Sequence, residues 1–111
     1  MKYFPFFLQL DQLPCLIVGG GSVAERKLDL LIKAKADITV ISLEFSDYIL
    51  DLAKTHNIRC VKKEYSNKIL EENKYNFVIS ATNDVSLNER VAKDCKKSVS
   101  YTHLRAHETG N

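Results

Sequence analysis

Cysteine is scarce in this chain and badly placed for pairing. The three thiols, Cys15, Cys60 and Cys95, are odd in number, widely spaced and form no CxxC pair, which argues against both a disulfide framework and a zinc knuckle. Cys15 and Cys60 fall in apolar, strand-like runs, where cysteine acts as a small hydrophobe. Reduced thiols and a cytoplasmic location are therefore expected. No basic run exceeds two residues, and the net charge is only +2. So weak a field does not steer a polyanion, so neither nucleic acid nor a membrane surface is expected as a partner. Long apolar runs are missing as well. The N-terminal stretch MKYFPFFLQLDQLPCLIVGGG is hydrophobic, but Pro5, Gln9, Asp11 and Gln12 interrupt it, which argues against a signal peptide and a membrane span. There is no internal repeat, low-complexity segment or linker.

What remains is an ordinary globular composition, 45% hydrophobic and 27% charged over 111 residues, enough for one domain and one core. Apolar runs alternate with amphipathic ones. Residues 4–10 read as a short edge strand, where Pro5 is tolerated. Cys15–Val18 reads as a strand buried on both faces. Val23, Lys27, Leu28, Leu31 and Ile32 then form a helical stripe that ends at AKAD. DITVIS (37–42) is a β-branched strand, and Ser46 or Asp47 can cap a helix reaching about Thr55. IRCVKK (58–63) is a third strand, residues 66–74 a short charged helix, and NFVISAT (76–82) a further strand. A last helix over 86–97 buries Leu87, Val91 and Cys95. This alternation predicts a Rossmann-like, doubly wound α/β sheet, mostly parallel, with an N-terminal edge-strand hairpin.

Three successive glycines stand at the end of the first buried strand. Gly19-Gly20-Gly21-Ser22-Val23-Ala24 fits G-x-G-x-x-A between a strand and a helix. Gly19 would allow the sharp turn, and Gly21 the close approach of a pyrophosphate. Ala24 would allow tight packing of the helix, whose free N–H groups favour phosphate. The alternative is a glycine-rich connection with no ligand. The acid that usually holds the ribose stands about 20 residues on, at the end of the second strand. Here Ser42 and Leu43 occupy that corner. Glu44 lies just beyond, and is either a ribose ligand or an exposed loop acid. No arginine stands there to hold a 2′-phosphate, which favours NAD over NADP.

With these residues in view, the chain resembles the N-terminal domain of the siroheme-synthase family, the precorrin-2 dehydrogenases. The likeness rests on FPFFLQLDQLPCLIVGGGSVAERK, ADITVIS, VISATND and LNERVAKDC, covering about residues 3–97. It implies NAD-dependent oxidation of the tetrapyrrole precorrin-2 to sirohydrochlorin, joined in some members by iron insertion. It also implies cofactor contacts at Ser22 and Val23, at Leu43 and Glu44, and at Thr82 and Asn83 in the loop after the fourth strand. Two acids usually follow the family's Ala-Thr pair; here only Asp84 remains, and it reads equally well as a helix N-terminal acid.

The likeness stops where the family places a fifth strand and its catalytic aspartate. By register Ala106 falls at that acid, with Glu108 nearby in an unmatched setting, so no catalytic residue is assigned. The domain is accordingly taken as residues 1–97. Residues 98–111 are taken as a non-family tail, foreign or disordered, without an apolar strand pattern. The family's dimerisation region is not found, and the chain is expected to be an inactive N-terminal fragment of a homodimeric enzyme. His103 and His107 share one face if the tail is helical, but lack further metal ligands, so no metal is expected. His56 reads as an exposed helix-end residue. A rival reading from another class is a regulatory Rossmann module that senses NAD without chemistry.

Overall fold

The computed structural model describes residues 11–97 and the backbone of residues 102–105. The expected edge strand at 4–10, and with it the N-terminal hairpin, lies outside the described residues, as do Ala106, His107 and Glu108.

Strand β1 (Pro14–Val18) leads through the glycines into helix α1 (Ser22–Lys33), and β2 (Asp37–Ser42) leads into α2 (Asp47–Thr55). Then come β3 (Ile58–Lys62), the short α3 (Lys68–Glu72), β4 (Phe77–Ser80), α4 (Val85–Lys97) and β5 (Thr102–Arg105). The sheet is parallel throughout, in the order β3-β2-β1-β4-β5. Parallel neighbours require crossovers, and each helix here supplies one. The order reverses between β1 and β4, so the loops leaving their C-terminal ends diverge and open a crevice there.

The pleat sends alternate residues of β1 to opposite faces, and both faces are covered. Cys15 and Ile17 pack with Ala24, Leu28 and Leu31 of α1 and Ile49 of α2. Leu16 and Val18 pack with Tyr65, with Ile69 and Leu70 of α3, and with Val91 and Cys95 of α4. This two-sided burial is why the strand reads as a continuous apolar run.

The helices end for local reasons. Ser46 Oγ accepts from the Ile49 N–H at 3.2 Å and starts α2, as expected of an N-cap. Lys35 takes φ +61°, and α1 closes as Lys35 N–H bonds Ile32 O and Ala36 N–H bonds Leu31 O. That pair of bonds is the left-handed closure usually made by glycine. In α4 the buried stripe is Asn88, Val91 and Cys95, and Leu87 is only half-buried. No helix among the described residues is long and apolar enough to cross a membrane.

The segment expected to lack strand structure is corrected here. Thr102–Arg105 runs parallel to β4, Phe77 opposite Thr102 and Ser80 opposite Arg105. A ladder is made by backbone N–H and C=O groups, so a free edge on β4 can be paired without apolar alternation. His103 therefore lies in extended chain, which removes the shared helix face proposed for it and His107.

The thiols of Cys15 and Cys95 are buried. Burial, with Asp37 nearby, pushes Cys15 up to about 12, and burial, with Asp94 adjacent, pushes Cys95 up to about 11. Both stay protonated near neutrality. Their contribution to stability is complete below pH 9 and is lost as the pH rises through 11 to 12. Timed alkylation at pH 8 followed by peptide mass mapping should label half-buried Cys60 first. Labelling of Cys15 at the same rate would contradict this packing.

Candidate cofactor site

The three glycines do different work. Gly19 takes φ +134°, and its N–H donates to Ile41 O at 2.9 Å. A Cβ there would collide with the Ala81 carbonyl and approach Thr82 Cγ2 to 3.0 Å. Gly20 accepts from the Ser46 N–H at 2.9 Å. Its Cβ would collide with the Glu44 carbonyl and lie 3.0 Å from Ser42 Cβ. Both positions are glycine because neighbouring backbone occupies the space a side chain needs.

Gly21 is under no such demand. It caps α1 in an extended conformation, φ −110° and ψ −153°, and a Cβ would meet nothing within 4 Å. No side chain caps α1, and the Ser22, Val23 and Ala24 N–H groups have no acceptor among the described residues. These are the orphan donors of a helix start, with the positive end of the helix dipole behind them. Ala24, fully buried, lets α1 lie close against the sheet. A phosphate group fits this arrangement: donors without acceptors, and a missing side chain that the fold does not need.

All the residues expected to form the site line the crevice, in three adjoining hollows. Gly19 to Val23, Ser42, Thr82 and Asn83 border a groove of about 200 Å³ over the glycine turn. Leu43, 57% exposed, borders a neighbouring hollow with Ser42 and Thr82. Glu44 instead borders a third, with Gly20, Gly21 and Phe45, so Leu43 and Glu44 face different spaces. Ser42 Oγ accepts from the Glu44 N–H at 3.4 Å, holding the corner.

The loop after β4 is fixed from behind. Thr82 Oγ1 donates to Asn88 Oδ1 at 2.7 Å and accepts from the Asp84 N–H at 3.1 Å. Asn88 Nδ2 donates to Thr82 O at 3.0 Å. Asp84 Oδ1 accepts from the Leu87 N–H at 3.1 Å, so Asp84 serves as the cap of α4. Of its two readings in the sequence, the helix acid is the one the structure bears out. Asn88 was not anticipated, although its i, i+3, i+7 spacing with Val91 and Cys95 marks a buried face.

Lys63 and Arg90 were also missed. Both border the Leu43 hollow. Arg90 lies 5.7 Å above the Tyr65 ring, and the Tyr65 hydroxyl donates to Asp94 at 2.8 Å. Burial first, and that hydrogen bond second, push the phenol well above its ordinary range, so it remains a neutral donor. Among the described residues no cluster of His, Cys, Asp and Glu could hold a metal ion.

A family model described as "Putative NAD(P)-binding" matches residues 6–108. The chain belongs to this NAD(P)-binding family. Its relatives are siroheme synthases: the chain is 45% identical over 92 residues to that of Psychromonas ingrahamii, covering 83% of this chain and 19% of the relative. It is 41% identical over 97 residues to that of Methylococcus capsulatus, covering 87% and 20%. The solved structure of SirC, precorrin-2 dehydrogenase, superposes with a TM-score of 0.68 at 29% identity, covering 75% of this chain and 41% of SirC. The siroheme-synthase resemblance read from the four segments over residues 3–97 is thus shown, and the sheet is the Rossmann-like one expected. The chain spans about a fifth of the length of these curated relatives. The family match continues past residue 97, through β5.

The glycines of this NAD(P)-binding domain should separate in a stability measurement. Gly19→Ala and Gly20→Ala should each cost about 2–4 kcal/mol in urea unfolding, through backbone overlap. Gly21→Ala should cost clearly less, about 1 kcal/mol or under, the ordinary penalty of alanine for glycine at a helix N-cap. A loss at Gly21 equal to that at Gly20 would make all three glycines structural.

Proposed function

We propose that this chain is the cofactor-binding part of a precorrin-2 dehydrogenase, with NAD⁺ as the acceptor. The observation that carries the proposal is Gly21: a glycine the fold does not require, at a helix start whose donors are free, in a chain of this family. In this reading the N–H groups of Ser22 and Val23 hold the pyrophosphate, and Gly19, Gly20 and Gly21 keep side chains out of its path. Ser42, Leu43 and Glu44 form the ribose corner, and Thr82 and Asn83 border the route across the sheet to the nicotinamide. The bound nicotinamide supplies hydride acceptance, so that precorrin-2 loses two electrons and two protons overall, one of them with the hydride. Thr82 takes part through its backbone and methyl group, since its hydroxyl is engaged with Asn88 and Asp84.

The same reading makes the chain a binder without turnover. The one acid following the Ala-Thr pair, Asp84, is engaged as a helix cap, and no other residue here is assigned as the proton acceptor. Oxidation of the tetrapyrrole, iron insertion and dimer formation then belong to a longer protein of which this is the cofactor-binding part. The sensing-module alternative shares the first half of this account, binding without chemistry, and parts from it at the substrate.

Calorimetric titration of the folded chain with NAD⁺ should give saturable binding that Gly21→Val abolishes. A chain extended with the remaining segment of a siroheme synthase should oxidise precorrin-2, read as the change in its visible spectrum. No NAD⁺ binding by a folded chain would refute the cofactor reading. Binding without oxidation in the extended protein would instead favour the sensing module.

A further inference from the structure

Asn88 is a costly residue for the place it holds. It stands on α4 in line with Val91 and Cys95, only 5% exposed, where an apolar side chain would pack without loss. Asparagine is a poor helix former, and a buried amide is tolerated only when its hydrogen bonds are made. This amide bonds one residue with both of its ends. Asn88 Oδ1 accepts from the Thr82 hydroxyl at 2.7 Å, and Asn88 Nδ2 donates to the Thr82 carbonyl at 3.0 Å. A carbonyl can only accept, so the amide nitrogen must face it and the amide oxygen must face the hydroxyl. The start of α4 does not need this arrangement, because Asp84 already caps it through the Leu87 N–H.

What the two bonds fix is a peptide plane at the border of the groove. Thr82 O and Asn83 N–H belong to one planar trans unit, so they point in opposite directions. With the carbonyl turned to α4, the Asn83 N–H is turned away from it. That N–H has no acceptor among the described residues, and Asn83 borders the groove over the glycine turn. A reversed peptide would present the carbonyl oxygen in its place. An acceptor there would face the oxygens of a dinucleotide as a like partial charge, whereas the N–H faces them as a donor. The same two bonds occupy both oxygens of Thr82 and leave its methyl group beside Gly19.

We propose that Asn88 is a positioning residue for the cofactor: it sets the Thr82–Asn83 peptide so that the Asn83 N–H donates to an oxygen of the bound dinucleotide. The proposal rests on the cofactor reading above and deepens it, adding a backbone donor from the β4 loop to those of Ser22 and Val23 on α1. Asn88 itself touches no ligand and acts through Thr82.

Titration of the isotopically labelled 111-residue chain with NAD⁺, followed at the Asn83 amide, tests this without any variant. That amide should shift in step with those of Ser22 and Val23. Asn88→Leu keeps the stripe apolar but removes both bonds, and Asn88→Asp puts a carboxylate against the Thr82 carbonyl. Each should weaken NAD⁺ about five- to tenfold, the scale of one lost hydrogen bond. At saturating NAD⁺ the Ser22 and Val23 amides of Asn88→Leu should still shift, and the Asn83 amide should not. Cys95→Ala loosens the same helix face, so it should lower the melting temperature while NAD⁺ affinity stays within about twofold. An Asn83 amide that stays still while the parent binds NAD⁺ would overturn the role of Asn88 alone. So would parent affinity in a folded Asn88→Leu, or an equal loss of affinity in Cys95→Ala. A folded parent that binds no NAD⁺ would overturn the cofactor reading and this inference with it.

Discussion

Where β1 leaves the sheet, three pieces of backbone meet with almost no room between them. Gly19 lies against the carbonyl of Ala81 beyond β4, and Gly20 lies against the carbonyl of Glu44 beyond β2. The same contacts are tied by the bonds from Gly19 N–H to Ile41 O and from Ser46 N–H to Gly20 O. Much else follows from this close approach. It aims the axis of α1 at the crevice, brings the β2 corner and the β4 loop to either side of the turn, and leaves the first N–H groups of α1 facing outward. A side chain at either position would push those loops apart.

The scaffold behind the turn is stiff for reasons that are separately visible. The central strand is buried on both faces, so α1 and α2 are held on one side and α3 and α4 on the other. The β4 loop is not left to chain flexibility either. Asn88 reaches back from α4 to both the hydroxyl and the carbonyl of Thr82, and a buried amide making both bonds resists displacement. The site thus combines fixed walls with a groove whose floor carries no side chain at Gly19, Gly20 or Gly21.

Much of this was legible in the residues themselves. The runs CLIV and DITVIS, the Ser46 cap and the glycine turn each carry a local cause, and each element formed where that cause placed it. The misses share another feature: they depend on neighbours distant in the chain. Thr102–Arg105 joins the sheet because β4 offers a free edge, a condition of the fold and not of THLR. Lys63 comes to the corner through pairing with β2, and sits in an otherwise unremarkable charged pair with Lys62. Asp84 had two readings that only the position of α4 could separate. Asn88 shares the stripe of Val91 and Cys95, but its bonds to Thr82 depend on where the β4 loop lies and carry no signal in the helix itself.

The central claim is that the start of α1, opened by a glycine the fold does not demand, receives the phosphates of a nicotinamide dinucleotide. Amide-resolved NMR tests it most directly, with NAD⁺ titrated into the isotopically labelled chain. The account predicts that the largest shifts fall on Gly21, Ser22, Val23 and Ala24, with smaller ones at Ser42, Leu43 and Thr82. Shifts concentrated at the opposite end of the sheet, around Lys35 and Arg59, or no shifts at all from a folded chain, would contradict it.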